Sequence, residues 1–181
     1  MANQSQKIEK AYTFEALSED FLSRINQETN LQAALELIRT EACRVLKAEM
    51  ASIFLLDRER CELWFPLPEK GKLLRLDARL GIAGACVSSE EVLNVKDVQS
   101  DPRFFSGIDI TTEHQTQTLL ALPLRAMNGE VFGVFEAVNK KGKEFSAQDE
   151  TIAKALVECI ATPLHKFHTV EQLRYERERL K

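Results

Sequence analysis

The sequence predicts an α+β fold: a central, mainly antiparallel sheet of about six strands with N- and C-terminal helices packed on one face. Three observations predict it. Strand-like apolar segments come in pairs joined by short polar turns, which makes hairpins. Both ends of the chain carry helical periodicity. The run Val131 to Val138 (VFGVFEAV) is near-continuously apolar and rich in β-branched and aromatic residues, as a central strand covered on both faces is. One charge, Glu136, sits inside that run, and a buried carboxylate is costly unless something compensates it.

Composition narrows the class. The chain has 181 residues, 44% hydrophobic and 29% charged, with a formal net charge of −4. This suits one soluble domain plus extra helix, large enough to bury a core without staples. No basic stretch points to nucleic acid, and Lys140, Lys141 and Lys143 read as a solvated turn. No apolar run approaches the length of a membrane span, and MANQSQKIEK lacks the apolar core of a signal peptide. Cys43, Cys61, Cys86 and Cys159 are widely spaced with no CxxC, and they make no recognised metal spacing with His114, His165 and His168. The expectation is a cytoplasmic protein with reduced thiols and no metal.

The elements follow in order. Residues 6 to 27 read as a helix, with Ile8, Leu17, Phe21, Leu22 and Ile25 at helical spacing. Gln27 to Asn30 breaks it, and Asn30 caps a second helix marked by Leu31, Ala34, Leu35, Ile38, Ala42 and Val45 and ending near Lys47. Met50 to Leu56 and Cys61 to Leu67 form a hairpin around Asp57-Arg58-Glu59-Arg60. Leu73 to Leu76 alternates with charge and suits a third, half-exposed strand. Gly81 to Ser89 is small and helix-like, and Glu91 to Val95 is a short strand. Asp97 to Gly107 is loop, and Asp109 to Thr116 holds a short helix. Thr118 to Leu124 is a strong strand, turned by Asn128-Gly129 onto Val131 to Asn139.

From Ser146 the pattern is helical to the end, and Ser146 with Asp149 resembles a capping box. Ile152, Leu156, Ile160, Leu164, Phe167, Val170, Leu173 and Leu180 recur every three to four residues, and Pro163 is expected to kink the helix. At ~1.5 Å per residue the segment is roughly 50 Å long, against a radius of gyration of ~15 Å for such a domain, so its end must project. The stretch Glu171 to Lys181, dense in Glu and Arg, looks like a coiled-coil surface.

Four short motifs then carry a resemblance. Asn139-Lys140, Phe145 and Asp149-Glu150 match an Asn-Lys…Phe-x-x-x-Asp-Glu signature; Gly81-Ile82-Ala83-Gly84, Asp101-Pro102-x-Phe104 and Leu122-Pro123-Leu124 accompany it. Over about residues 15 to 168 the sequence resembles a GAF domain, closest to the cyclic-nucleotide-binding type of phosphodiesterases and bacterial adenylyl cyclases. The resemblance divides the chain into residues 1–28, an N-terminal helix and candidate dimer element; 29–165, a GAF-like sensory domain; and 166–181, the start of a C-terminal signalling helix.

The resemblance implies a regulatory domain that senses a small molecule, with cAMP or cGMP as the candidate ligand and no catalysis of its own. It places Ser52, Ile82, Ala83, Phe105, Asp109, Thr112, Thr116 and Glu136 in the ligand pocket. Ile82 and Ala83 would offer backbone amides to a phosphate, which also follows from free N–H groups at a helix start. It makes Asn139, Lys140, Phe145, Asp149 and Glu150 a structural signature, with Lys140 paired to Asp149. The loop Pro66 to Lys72 is short and lacks the aromatic-acid pair with which nucleotide-binding relatives read the base.

The resemblance further implies a homodimer through the terminal helices and an output domain beyond Lys181, where the chain ends inside a helical pattern. Three alternatives stay open. Sulfoxide-reducing relatives use pocket cysteines, and Cys86 falls near that region without a resolving partner close in sequence. Bilin-binding relatives carry a Cys-His pair, whereas His114 follows Glu113. A dimerisation module with no nucleotide bound is the third.

Overall fold

The middle of the sheet is held by β6 (Val131–Lys140), every residue of which from Val131 to Val138 is buried. Apolar side chains on both faces leave this segment no stable position except between two covering layers. The computed structural model describes residues 16–66, 73–105, 115–142 and 144–179. Six strands, β1 (Ala48–Asp57), β2 (Glu62–Pro66), β3 (Leu73–Asp77), β4 (Leu93–Val95), β5 (Leu119–Arg125) and β6, lie in the order β3-β2-β1-β6-β5-β4. Every neighbouring pair is antiparallel.

Alternation along the strands sorts side chains into two cores. Ala51, Ile53, Leu55, Leu120, Leu122, Leu124, Phe135 and Ala137 face one way. They meet α1 (Glu19–Gln27), α2 (Leu31–Leu46) and α4 (Ala147–Arg179) through Phe21, Ile25, Ile38, Leu46, Leu156, Ile160 and Leu164. The terminal helices therefore share one face, as expected. The opposite face, with Phe54, Leu56, Ala121, Val134 and Val138, is covered by the short helix α3 (Gly81–Ser89) through Ile82, Ala83 and Cys86.

The first helix departs from the expectation of one helix over residues 6 to 27. Among the described residues it starts at Glu19, because Ser18 is extended (φ −70°, ψ 143°) and its hydroxyl accepts from the Phe21 amide as an N-cap. The Ser18 amide in turn donates to Glu41 Oε1 at 2.6 Å, pinning this turn to α2. Asn30 caps α2 as expected, accepting from the Ala33 amide at 3.0 Å. The Glu91 to Val95 strand is shorter than expected, Leu93–Val95, since the Glu90 backbone (φ 57°) closes α3. The short helix expected over Asp109 to Thr116 lies outside the described residues up to His114.

The long helix α4 continues through Pro163 to Arg179, a span of roughly 50 Å. It is buried as far as Leu164 and His168; beyond them Val170 and Leu173 are 41% and 60% exposed. No described helix is long and apolar enough to cross a membrane.

Candidate functional site

The cavity lies between α3 and the sheet, and register creates it. Ser52 of β1 and Ala121 of β5 are both Cα partners of Glu136 on β6, so Glu136 is flanked by two small side chains on the α3 face. A cavity of about 60 Å³ opens above it, floored by Met50, Ser52, Phe54, Glu136 and Val138. Gly81, Ile82 and Ala83 form its roof, and Phe104, Phe105 and Thr116 its rim. Leu63, Leu76, Leu80 and Leu119 complete the wall.

Glycine makes the roof. Gly81 opens α3 at φ +73°, a conformation costly for L side chains. Gly84 lets α3 touch the chain before it: a Cβ there would stand 2.7 Å from the Ala78 carbonyl oxygen. No side chain caps the start of α3 at Leu80, so the first amides of the helix point out with their partial positive charge unanswered by a cap.

Glu136 is the charge in this setting. It is 6% exposed, and among the described residues no hydrogen bond or ion pair reaches its carboxylate. Burial pushes the carboxyl up to about 7. The neighbouring Cys86 thiol is pushed up to about 12, mainly by burial and then by the Glu136 charge. The described residues lining the cavity include no Lys, Arg or His.

The signature residues build something else: a clamp between β6, β5 and the start of α4. Asn139 sits at φ 56°. Its Oδ1 accepts from the Gln117 amide at 2.8 Å, and its Nδ2 donates to Gln115 O and Glu49 Oε2, both at 2.9 Å. Lys140 Nζ donates to Asp149 Oδ1 at 2.5 Å and to the Leu46 carbonyl at 2.8 Å, reaching the C-terminal end of α2. Ser146 and Asp149 form the reciprocal capping box, each side chain accepting from the other's amide. Burial alone would raise the Asp149 carboxyl, but the bonds from Lys140 and Ser146 outweigh it and hold it below its ordinary value. Phe145 is buried, and Asn94 Nδ2 bridges its carbonyl and Glu150 Oε1.

A family model described as "GAF domain" matches residues 30–164, which is most of the chain. The chain belongs to the GAF domain family. Its structure is similar to that of the GAF domain from a Coxiella burnetii phosphoenolpyruvate-protein phosphotransferase, with a TM-score of 0.75 at 22% identity over 90% of this chain and 98% of that one. The GAF domain from the Acinetobacter phosphoenolpyruvate-protein phosphotransferase gives 0.72 at 20% identity, over 89% and 98%. A free methionine-R-sulfoxide reductase from Neisseria meningitidis, solved with its substrate, gives 0.65 at 18% identity, over 80% and 84%. At such identities the likeness shows a shared fold. GAF domains serve as regulatory or sensory modules in signalling proteins, and the fold also carries an enzyme.

Within this GAF domain the cavity brings together Ser52, Ile82, Ala83, Phe105, Thr116 and Glu136, six of the residues singled out from the sequence. Asp109 and Thr112 lie outside the described residues. Phe105 is 43% exposed, so it stands at the mouth and not inside. The apolar lining residues Met50, Phe54 and Val138 were not singled out, although each lies two residues from Ser52 or Glu136 and so shares their face. Asn94 and His168 also went unmarked, because no local pattern distinguishes a side chain whose partner is far away in sequence. Among the described residues no cluster of His, Cys, Asp and Glu could hold a metal ion.

Proposed function

We propose that this GAF domain is a regulatory, small-molecule-sensing module of a larger signalling protein, its ligand held beside Glu136. The observation that carries the reading is the buried, unpartnered Glu136 carboxylate facing a cavity. A native fold leaves a buried charge uncompensated mainly where function requires it. A ligand that supplies the missing partner shifts the domain toward the state that binds it better. The clamp joins the strand carrying Glu136 to the root of α4, so the change passes to that helix and, in a dimer built through the terminal helices, to an output domain.

A non-catalytic role fits Cys86. Its thiol is buried, donates to the Glu91 carbonyl at 3.2 Å and is held protonated at neutral pH, which makes a poor nucleophile.

A cyclic nucleotide is the finer reading of the ligand. The uncapped amides at the start of α3 support it as a phosphate site, with Glu136 left for the hydroxyls of the ribose. It requires the cavity to open from about 60 Å³ to the ~300 Å³ or more that nucleotide-sized ligands occupy. The same small volume favours a second reading, a dimerisation module with no nucleotide bound, using the exposed Val170 and Leu173 of α4.

Calorimetry of the domain against cAMP and cGMP, beside sedimentation of the same samples, separates these readings. Saturable heat with either nucleotide supports the nucleotide reading. A dimer with no heat supports the second, and a monomer with no heat overturns both.

A further inference from the structure

The described residues that line the cavity bring a negative side chain and no positive one. Its polar groups are the Glu136 carboxylate, the Ser52 and Thr116 hydroxyls and the backbone at the start of α3. The side chains of the other described residues that line it carry only carbon, hydrogen or sulfur. An anion placed there would face the α3 amides but also an unneutralised carboxylate across a narrow apolar space, where like charges repel strongly. A hydrogen-bond donor at the floor meets the opposite situation. The carboxylate has four lone-pair sites, and no described residue uses them.

From this we infer that the ligand presents a cationic nitrogen, an ammonium or amidinium group, to Glu136, with a compact apolar body against Phe54, Ile82 and Val138. The inference rests on the cavity being a ligand site, and puts a cationic ligand there in place of the anionic cyclic nucleotide. A cation at this position gives the buried carboxylate the partner that the fold itself withholds, and a buried charge-assisted hydrogen bond is among the strongest available to a small ligand. Ser52, the cross-strand neighbour of Glu136, adds a hydroxyl that can accept a second N–H. With room for only a few water molecules, the cavity selects small groups. The two oxygens of one carboxylate match the paired N–H groups of an amidinium, as they do those of arginine.

Three probes of nearly one shape test the charge: acetamidinium, acetamide and acetate, titrated into the isotopically labelled domain while the Ile82 and Val138 methyl signals are followed. Xenon serves as a fourth probe for the cavity alone. Acetamidinium is expected to shift these signals saturably and to bind roughly tenfold or more tightly than acetamide. Glu136→Gln is expected to remove that preference. The amide spectrum of the variant, recorded first, checks that the fold is intact, and Glu136→Met serves if it is not.

Preference for acetate, or an acetamidinium affinity unchanged in E136Q, overturns the inference. Xenon shifts without any acetamidinium effect overturn the cationic ligand but leave the cavity as a site. Failure of all four probes to shift the methyls overturns both.

Discussion

His168 Nε2 lies 2.8 Å from the carbonyl oxygen of Leu56, so α4 is tied near its buried end to the last residues of β1. The carbonyl can only accept, so Nε2 carries the proton and donates, leaving Nδ1 as the acceptor nitrogen, buried and without a partner among the described residues. Phe132 packs against both His168 and His165.

This geometry sets a pH dependence. Burial is the main reason the His168 ring is held below its ordinary 6.5. A depressed histidine favours the fold while neutral, so its contribution is present above pH 6.5 and is lost as the pH falls below it. His168→Gln, which keeps a donor for Leu56 but cannot titrate, is expected to lose less stability than wild type between pH 7 and pH 5.5. Urea midpoints at the two pH values measure it, and equal losses would remove His168 as the cause.

Glu136 acts with the opposite sign. Its carboxyl rises from 4.5 to about 7 on folding, so the fold prefers it protonated. That preference is fully present below pH 4.5 and lost as the pH rises through 7. Glu136→Gln removes the ionisation and is expected to stabilise the domain at pH 8 by on the order of 3 kcal/mol, since a tenfold change in proton affinity is worth about 1.4 kcal/mol. Near pH 5 the advantage should shrink toward zero. Thermal melts at both pH values decide it, and an E136Q domain less stable than wild type at pH 8 would mean that Glu136 is already compensated.

The Lys140–Asp149 pair should be costly to halve. Both side chains are largely buried, at 15% and 8% exposure. Asp149→Ala leaves the Lys140 ammonium without a counter-charge, held only by the Leu46 carbonyl, and takes away the acceptor of the Ser146 amide, and about 3 kcal/mol of destabilisation is expected from such a cut. The double variant K140M/D149A should lose clearly less than the sum of the single losses, which a double-mutant cycle by urea unfolding reports. Additive losses would make the pair incidental.

Asn139 combines a left-handed backbone with hydrogen bonds that no other side chain supplies. Two variants separate these effects. Asn139→Gly keeps the backbone conformation and loses the bonds, and Asn139→Ala loses both. Ala is expected to be worse than Gly by roughly 1 kcal/mol, the usual cost of the left-handed region. Equal stability of the two variants would show that the turn readjusts.

How far the sequence reveals all this depends on range. Hairpins, the Asn30 cap and the Ser146–Asp149 box were legible because their partners lie within a few residues. The two-faced burial of β6 was legible from its unbroken apolar run. Among the six cavity residues, Glu136 was legible as a charge in an apolar run and Ile82 and Ala83 as the start of a small-residue helix, whereas Ser52, Phe105 and Thr116 were legible only through the resemblance, since Ser52 and Glu136 meet through a register that no local pattern encodes. The break at residues 16 to 18 was missed because the bond from the Ser18 amide to Glu41, which holds the cap there, spans 23 residues. His168 was invisible for the same reason, its partner lying 112 residues away.

The central position of β6 also means that the sheet cannot close on the ribosome until that late strand has been made. The strands β1 to β3 lie on one side of it, and β4 and β5 on the other. Neither half pairs with the other except through β6. At ~5–20 residues per second, β1 waits on the order of ten seconds after its own synthesis before its partner emerges. For that interval the hydrophobic edge formed by Ile53, Phe54 and Leu55 is open to any passing strand. A nascent chain halted before Val131 thus lacks the one described strand that joins β1 to β5.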